Sequence, residues 1–193
     1  ATLVLANDLR VKVEGSIVNG ILVADEIELE GRKIEVEATI TDIDVNPLDA
    51  EDRTLSFSLF GGSNNISARV NQQTEMEDEV SATDPFNPSD LQLGDYVRLE
   101  AFADGSGVIN AVELERRDVG RFKLQGPLEG FNQTLQTVTL FGQTFGLNSA
   151  IYENANDIPI DAATFYGELA TGTLVELEDE NLDDFIDTAG LED

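Results

Sequence analysis

The run Asp42-Ile43-Asp44-Val45-Asn46-Pro47-Leu48-Asp49-Ala50-Glu51-Asp52 places carboxylate and amide oxygens at nearly alternate positions. Such spacing suits a hard cation, because a bending loop can turn alternate oxygens inward together. Asp42, Asp44 and Asn46 fit the first half of a Ca²⁺-binding loop, with Asp49 and Asp52 as further candidate ligands. Pro47 stands where an EF-hand loop wants Gly, and Arg53 where it wants a bidentate Glu. The simpler expectation is therefore the acidic tip of a long hairpin. Ca²⁺ is the alternative, and no other cofactor is expected.

Other chemistry is restricted by what is missing. The chain has no His, no Cys and no Trp. That removes Ser–His and Cys–His nucleophiles, thiolate chemistry and the usual zinc, copper and iron ligand sets. A pair of carboxylates could serve glycoside hydrolysis. With acids this abundant, some pair comes within reach by chance, no Trp is present to stack a sugar, and small barrels imply no deep pocket. No catalytic residues are expected. Phe60-Gly61 and Phe141-Gly142 occupy the same place in two matching segments. They read as rings covering a hairpin whose Gly takes positive φ, or as an exposed aromatic contact for a partner.

Charge restricts the partners. Asp and Glu number 39 against 11 Lys and Arg, a net charge of −28 over 193 residues. A phosphate backbone or an anionic lipid surface would repel such a chain. Cationic partners are favoured, and nucleic acid is not expected. Hydrophobic content of 41% is enough for a core, and no apolar run is long enough to span a membrane. No signal peptide is visible at Ala1, which fits either a processed precursor or a chain that is not exported.

The elements that must position these residues are strands, and they recur. Val11–Glu30 (VKVEGSIVNGILVADEIELE) resembles Val97–Glu115 (VRLEAFADGSGVINAVELE). Gly31–Asp44 (GRKIEVEATITDID) resembles Gly120–Asn132 (GRFKLQGPLEGFN), and Thr54–Gly61 (TLSFSLFG) resembles Thr134–Gly142 (TLQTVTLFG). Leu91–Glu100 resembles Leu169–Glu178. Val97 follows Val11 by 86 residues and Gly120 follows Gly31 by 89, too long for a solenoid rung and right for a small domain. Ile34, Val36, Ala38 and Ile40 alternate with polar residues, as do Leu55, Phe57 and Leu59, and Val97, Leu99 and Ala101. Period two of this kind means strands with one buried face. The turn matching the acidic hairpin in the last unit, Glu129-Gly130-Phe131-Asn132, is short and lacks its acids.

Three strands, a polar connection over Thr74–Asp90, then two strands is the order of an OB-like Greek-key barrel. Pro85 and Pro88 limit that connection to a short helix at most. The expected fold is all-β, with tandem small five-stranded OB-like barrels. Residues 1–32 read as the second half of one unit and 33–119 as a complete barrel. Residues 120–193 read as a third unit lacking an obvious last strand. Leu182, Phe185, Ile186 and Ala189 follow helical spacing, with Asn181 and Gly190 as caps, so a short acidic C-terminal helix is expected there.

The matched blocks resemble a bacterial family of repeats, the domain of unknown function DUF5666. The resemblance rests on the Gly-Arg opening strand and the Thr-Leu…Phe-Gly hairpin. It rests also on Leu91–Glu100 (LQLGDYVRLE) followed by Gly107–Leu114 (GVINAVEL). It implies a small β-barrel, often tandem, in secreted or lipid-anchored envelope proteins, and supplies no catalytic residues. The functional expectation is a non-catalytic structural or binding module outside the cytoplasm, meeting a protein or a cell-surface polymer. The alternative is a Ca²⁺-dependent matrix or adhesion module. The acidic hairpin and the Thr74–Asp90 connection are the expected interaction loops.

Overall fold

The computed structural model describes residues 11–18, 21–29, 33–60, 64–104 and 106–192. The expected Asn19-Gly20 turn, the Gly31-Arg32 strand opening and the Gly61-Gly62-Ser63 turn lie outside the described residues. Strands β1 (Val11–Val18) and β2 (Ile21–Leu29) form an antiparallel ribbon separate from the other sheets. The barrel follows, with β3 (Ile34–Val45), β4 (Arg53–Leu59) and β5 (Asn64–Val70). After the short β6 (Glu75–Asp78) and a 3-10 turn at Pro88–Asp90 come β7 (Tyr96–Ala103) and β8 (Ile109–Arg117).

These five main strands close on themselves in the order β3–β4–β5–β8–β7–β3. All neighbours are antiparallel except β5 and β8, which meet in parallel through Arg69 and Asn110. Closure leaves no free edge among the five. The alternation read from the sequence sends Val36, Ala38, Leu55, Phe57, Leu59, Val97, Leu99 and Leu114 into the interior, each essentially inaccessible to water. Each full burial of a large side chain is worth about 1.5–3 kcal/mol.

The Thr74–Asp90 connection is built as expected, with no α-helix. It is also anchored. The buried carboxylate of Asp78 accepts the backbone N–H groups of Val80, Ser81 and Thr83 and is held by the Arg116 guanidinium. Arg116 in turn lies 4.7 Å from the centre of the buried Phe86 ring.

The second region carries β9 (Phe122–Pro127), β10 (Gly130–Asn132), β11 (Thr137–Leu140), β12 (Gln143–Gly146), β13 (Ile151–Glu153) and β14 (Pro159–Ile160). The single α-helix, α1 (Ala162–Glu168), precedes β15 (Leu174–Asp179) and β16 (Thr188–Glu192). Strand β15 lies between β9 and β16, and β16 takes β13 in parallel. In the barrel, β7 lies between β3 and β8, and β8 takes β6 in parallel. The likeness stops there. Strands β10–β12 form a sheet of their own, and the second region closes no barrel ladder among the described residues.

Two expectations need correction. The short helix near the C-terminus exists, but it is α1, capped by the Asp161 carboxylate on the Thr164 N–H. The stretch from Asn181 to Gly190, where helical spacing predicts that helix, is instead a series of bends that runs into β16. The Asp179 carboxylate accepts the N–H groups of Asp183 and Asp184, and Asp187 accepts that of Glu180. These side chains take the donors that an i→i−4 ladder needs, and Leu182 and Asp184 adopt left-handed φ of 61° and 72°. The second correction concerns the last strand. Thr188–Glu192 is that strand, paired along its length with β15.

The ribbon β1–β2 bears on the internal match. Its bulge falls between Glu14 and Gly15, and the β7–β8 bulge falls between Glu100 and Ala101, the position matched to it in sequence. The ladders place Glu26 opposite Glu14 and Glu113 opposite Glu100. The second strands therefore correspond two residues earlier than the shared Glu-Leu-Glu suggests.

One sheet joins the two regions. Residues 35–37 of β3 pair with β9 on the edge opposite to β7, before the strand bends onto β4. Phe60, at the tip of β4, sets its ring edge-on to Phe145 of β12, 5.7 Å between centres.

Candidate functional site

The outer face of the joined sheet is charged and yet largely buried. Glu35, Glu37, Lys123, Gln125 and Glu178 are all less than a tenth exposed. Their register explains this. Glu35 and Glu37 stand across from Gln125 and Lys123 of β9, which stand across from Glu176 and Glu178 of β15. Arg98 of β7 reaches Glu35 at 2.9 Å, Glu100 at 2.7 Å and Glu115 at 3.6 Å. Lys123 reaches Glu176 at 2.5 Å and Glu35 at 3.7 Å, tying the barrel to the second region. Arg121 does the same, with Glu178 at 2.8 Å and Glu37 at 3.5 Å.

Burial pushes the Glu35 carboxyl up, but the Arg98 hydrogen bond and the charges of Lys123 and Lys33 outweigh it and hold the group below its usual range. Glu178 goes the other way. Burial, and then the Glu176 charge, raise it to about 7 despite Arg121 and Lys123. A raised carboxyl beside another carboxylate is a pattern acid–base enzymes use. Here neither Glu176 nor Glu178 lines the cleft between the two regions, and both are bound to Lys123.

An open cleft of about 560 Å³ lies at the junction of the two regions. Tyr96, Glu37 and Gly120 line it, with Arg117, Arg121, Glu79, Asp118 and Glu180 around them. The Tyr96 hydroxyl sits 3.2 Å from the Glu37 carboxylate, contacts the Arg121 carbonyl and accepts the Arg121 N–H at 3.2 Å. Burial, with the Glu37 charge, raises its ionisation above the ordinary phenol range even though the Arg121 and Gly120 backbone opposes the shift. Arg117 is committed to Glu79 at 3.1 Å and lies 3.8 Å from Glu115. Asp118 and Glu180 are exposed and pair with no cation among the described residues. The sequence reading missed this cleft, because its walls come from five separate stretches of chain. The one available signal was Asp118-Val119-Gly120-Arg121 as a join between units.

The five oxygen-bearing residues of the proposed metal loop are not brought together as ligands. Asp42 and Asp44 lie on β3 facing Ser56 and Thr54. Asn46 spends its side chain on the Asp52 carboxylate and the Leu48 N–H, and Asp49 on the Glu51 N–H. Asp52 is gripped by Arg69 through two hydrogen bonds of 2.6 and 2.8 Å. These bonds build the hairpin tip. Among the described residues, no group of three or more carboxylates is arranged to hold a metal ion.

The Phe141-Gly142 pair is a turn device. Phe141 and Gly142 are the two central residues of the β11–β12 hairpin, with φ of 51° and 71°, the signs of a type I′ turn. Phe60 has the same left-handed φ, 49°. Left-handed backbone is thus carried by the Phe as well as by Gly142. Both rings pack on the core.

A closed barrel with strand order 1-2-3-5-4 and a parallel pair between its third and fifth strands defines an OB-like β-barrel protein. Residues 37–115 match the model of a family described as a domain of unknown function, DUF5666, the resemblance that the sequence motifs implied. No curated protein matches the chain.

Proposed function

We propose that this chain is a non-catalytic binding module of a bacterial envelope or secreted protein, offering a rigid acidic surface to a cationic protein or cell-surface polymer. One observation carries this reading. From Lys33 onward, every Lys and Arg except Arg53 is held in an ion pair, and Arg53 is spent on the carbonyls of Ala50 and Leu91. None of these cations is left free to meet a phosphate, while most of the carboxylates among the described residues have no cation. This speaks against a nucleic-acid partner. A non-catalytic role is supported by the carboxyl raised furthest, Glu178, being tied to Lys123 and Arg121 in the sheet network and not lining the cleft. The Ca²⁺-dependent alternative draws no support from a loop in which Asn46, Asp49 and Asp52 already bind the turn backbone, one another or Arg69.

The placement outside the cytoplasm rests on the family resemblance. Fractionation of bacteria expressing the native full-length gene tests both parts. The protein should leave the cytoplasm, and moderate salt should release it from its partner, because exposed charge pairs are screened over about 8–10 Å. Retention in the cytoplasm, or binding that salt leaves unchanged, overturns the reading.

A further inference from the structure

We infer that the junction cleft is a recognition site for an alkylammonium or guanidinium group. The inference rests on the proposed reading that the partner is cationic, and names the place and chemistry of contact.

The cleft's two guanidinium groups do not offer it positive charge. Arg117 is neutralised by Glu79 and Glu115, and Arg121 by Glu37. The surplus is negative and belongs to Asp118 on the joining segment and Glu180 beyond β15, both exposed and without a cation. A carboxylate or phosphate ligand would have to displace existing ion pairs and then face this surplus. A bare metal ion is a poor fit, since about 560 Å³ is far more than one ion fills and no three carboxylates converge. A group with several N–H donors on a flexible stem suits the space. It can bridge Asp118 and Glu180, and the paired arginines around it keep the remaining acids fixed. Such a group comes from a basic side chain of a polypeptide or from a free polyamine.

Titration of ¹⁵N-labelled protein at about 0.15 M salt separates the possibilities. The probes are a capped peptide bearing one Arg and one Lys, and spermidine. Saturable shifts of the Asp118, Gly120, Arg121 and Glu180 amides are expected. D118N/E180Q should weaken binding about tenfold, the worth of two exposed charge contacts. The equally neutralising control D42N/E168Q should change it less than about twofold, because both of its residues are exposed and lie outside the cleft. Response to the peptide alone assigns a polypeptide partner, and response to spermidine alone assigns a polyamine; either supports the site. Equal weakening in both variants means diffuse attraction to an acidic surface, which removes the site but leaves the cationic-partner reading standing. No saturable binding of either probe to the wild type overturns both.

Discussion

Alanine at position 126 should drive a methyl group into the ring of Phe141. A Cβ built on Gly126 lies 2.6 Å from Phe141 Cε2, closer still to Cζ, and 3.4 Å from Cε1. Backbone adjustment is restricted, because Gly126 pairs with Val175 inside the β9–β15 ladder. The ring has little freedom either, since Phe141 is held in the left-handed turn that closes β11 onto β12. Two outcomes are open to the variant. Overpacking with the ring in place costs about 1–3 kcal/mol. Expelling the half-buried ring forfeits part of the roughly 1.5–3 kcal/mol that a fully buried Phe contributes. Both routes give a loss near 2 kcal/mol. For a chain of this size that lowers Tm by about 4–8 °C, readable by circular dichroism melting. The Phe141→Ala background supplies the control. If the ring is the obstacle, Gly126→Ala should cost little once the ring is gone, and the double-mutant cycle should return a coupling near the full 2 kcal/mol. An unchanged Tm for Gly126→Ala, or the same loss in both backgrounds, would refute the argument.

Further outcomes follow from the charged face and the aromatic cluster. Glu178 in the folded chain keeps its proton up to about pH 7, whereas the unfolded carboxyl releases it near 4.5. Its contribution to stability is therefore fully present below about pH 4.5 and is lost as pH rises through about 7; denaturation at a series of pH values should show this decline, and Glu178→Gln should flatten it. Arg98→Met removes the hydrogen bond to the buried Glu35 carboxylate, which keeps Lys33 and Lys123 nearby, and should cost about 2 kcal/mol, less when Glu35→Gln is added; a loss under about 1 kcal/mol in urea unfolding counts against the network. Tyr152 donates its hydroxyl proton to the Leu147 carbonyl at 3.0 Å, while the buried Tyr166 hydroxyl finds no hydrogen-bond partner. Tyr152→Phe should thus cost about 1 kcal/mol and Tyr166→Phe nothing or less than nothing, and thermal melts giving the reverse order contradict that assignment.

Strand identity was legible because it is a local property. Leu55, Phe57 and Leu59 alternate with polar residues whatever surrounds them, and that alone decides which face is buried. Order along the chain, three strands then two, was enough for the barrel, since few closed topologies accept it. Local pattern misled at Leu182–Ala189. Apolar spacing there was helical, but the carboxylates of Asp179 and Asp187 had a competing use for the same N–H groups, and only the fold brought them within reach.

By itself the sequence determined the class of fold, the absence of thiol and imidazole chemistry and the sign of the surface charge, because composition and short-range periodicity depend on no distant contact. Tertiary structure alone decided that Glu35, Glu37, Lys123 and Glu178 would be buried together. It also decided that Asp52 of the long hairpin would hold Asn46 and Arg69, and that a cleft would open beside Gly120. Each of these depends on which strands become neighbours, and β3 meets β9 across more than eighty intervening residues. Electrostatic interaction falls steeply beyond about 10 Å in salt, so charges so far apart in sequence acquire their partners, and their roles, only when the sheet assembles.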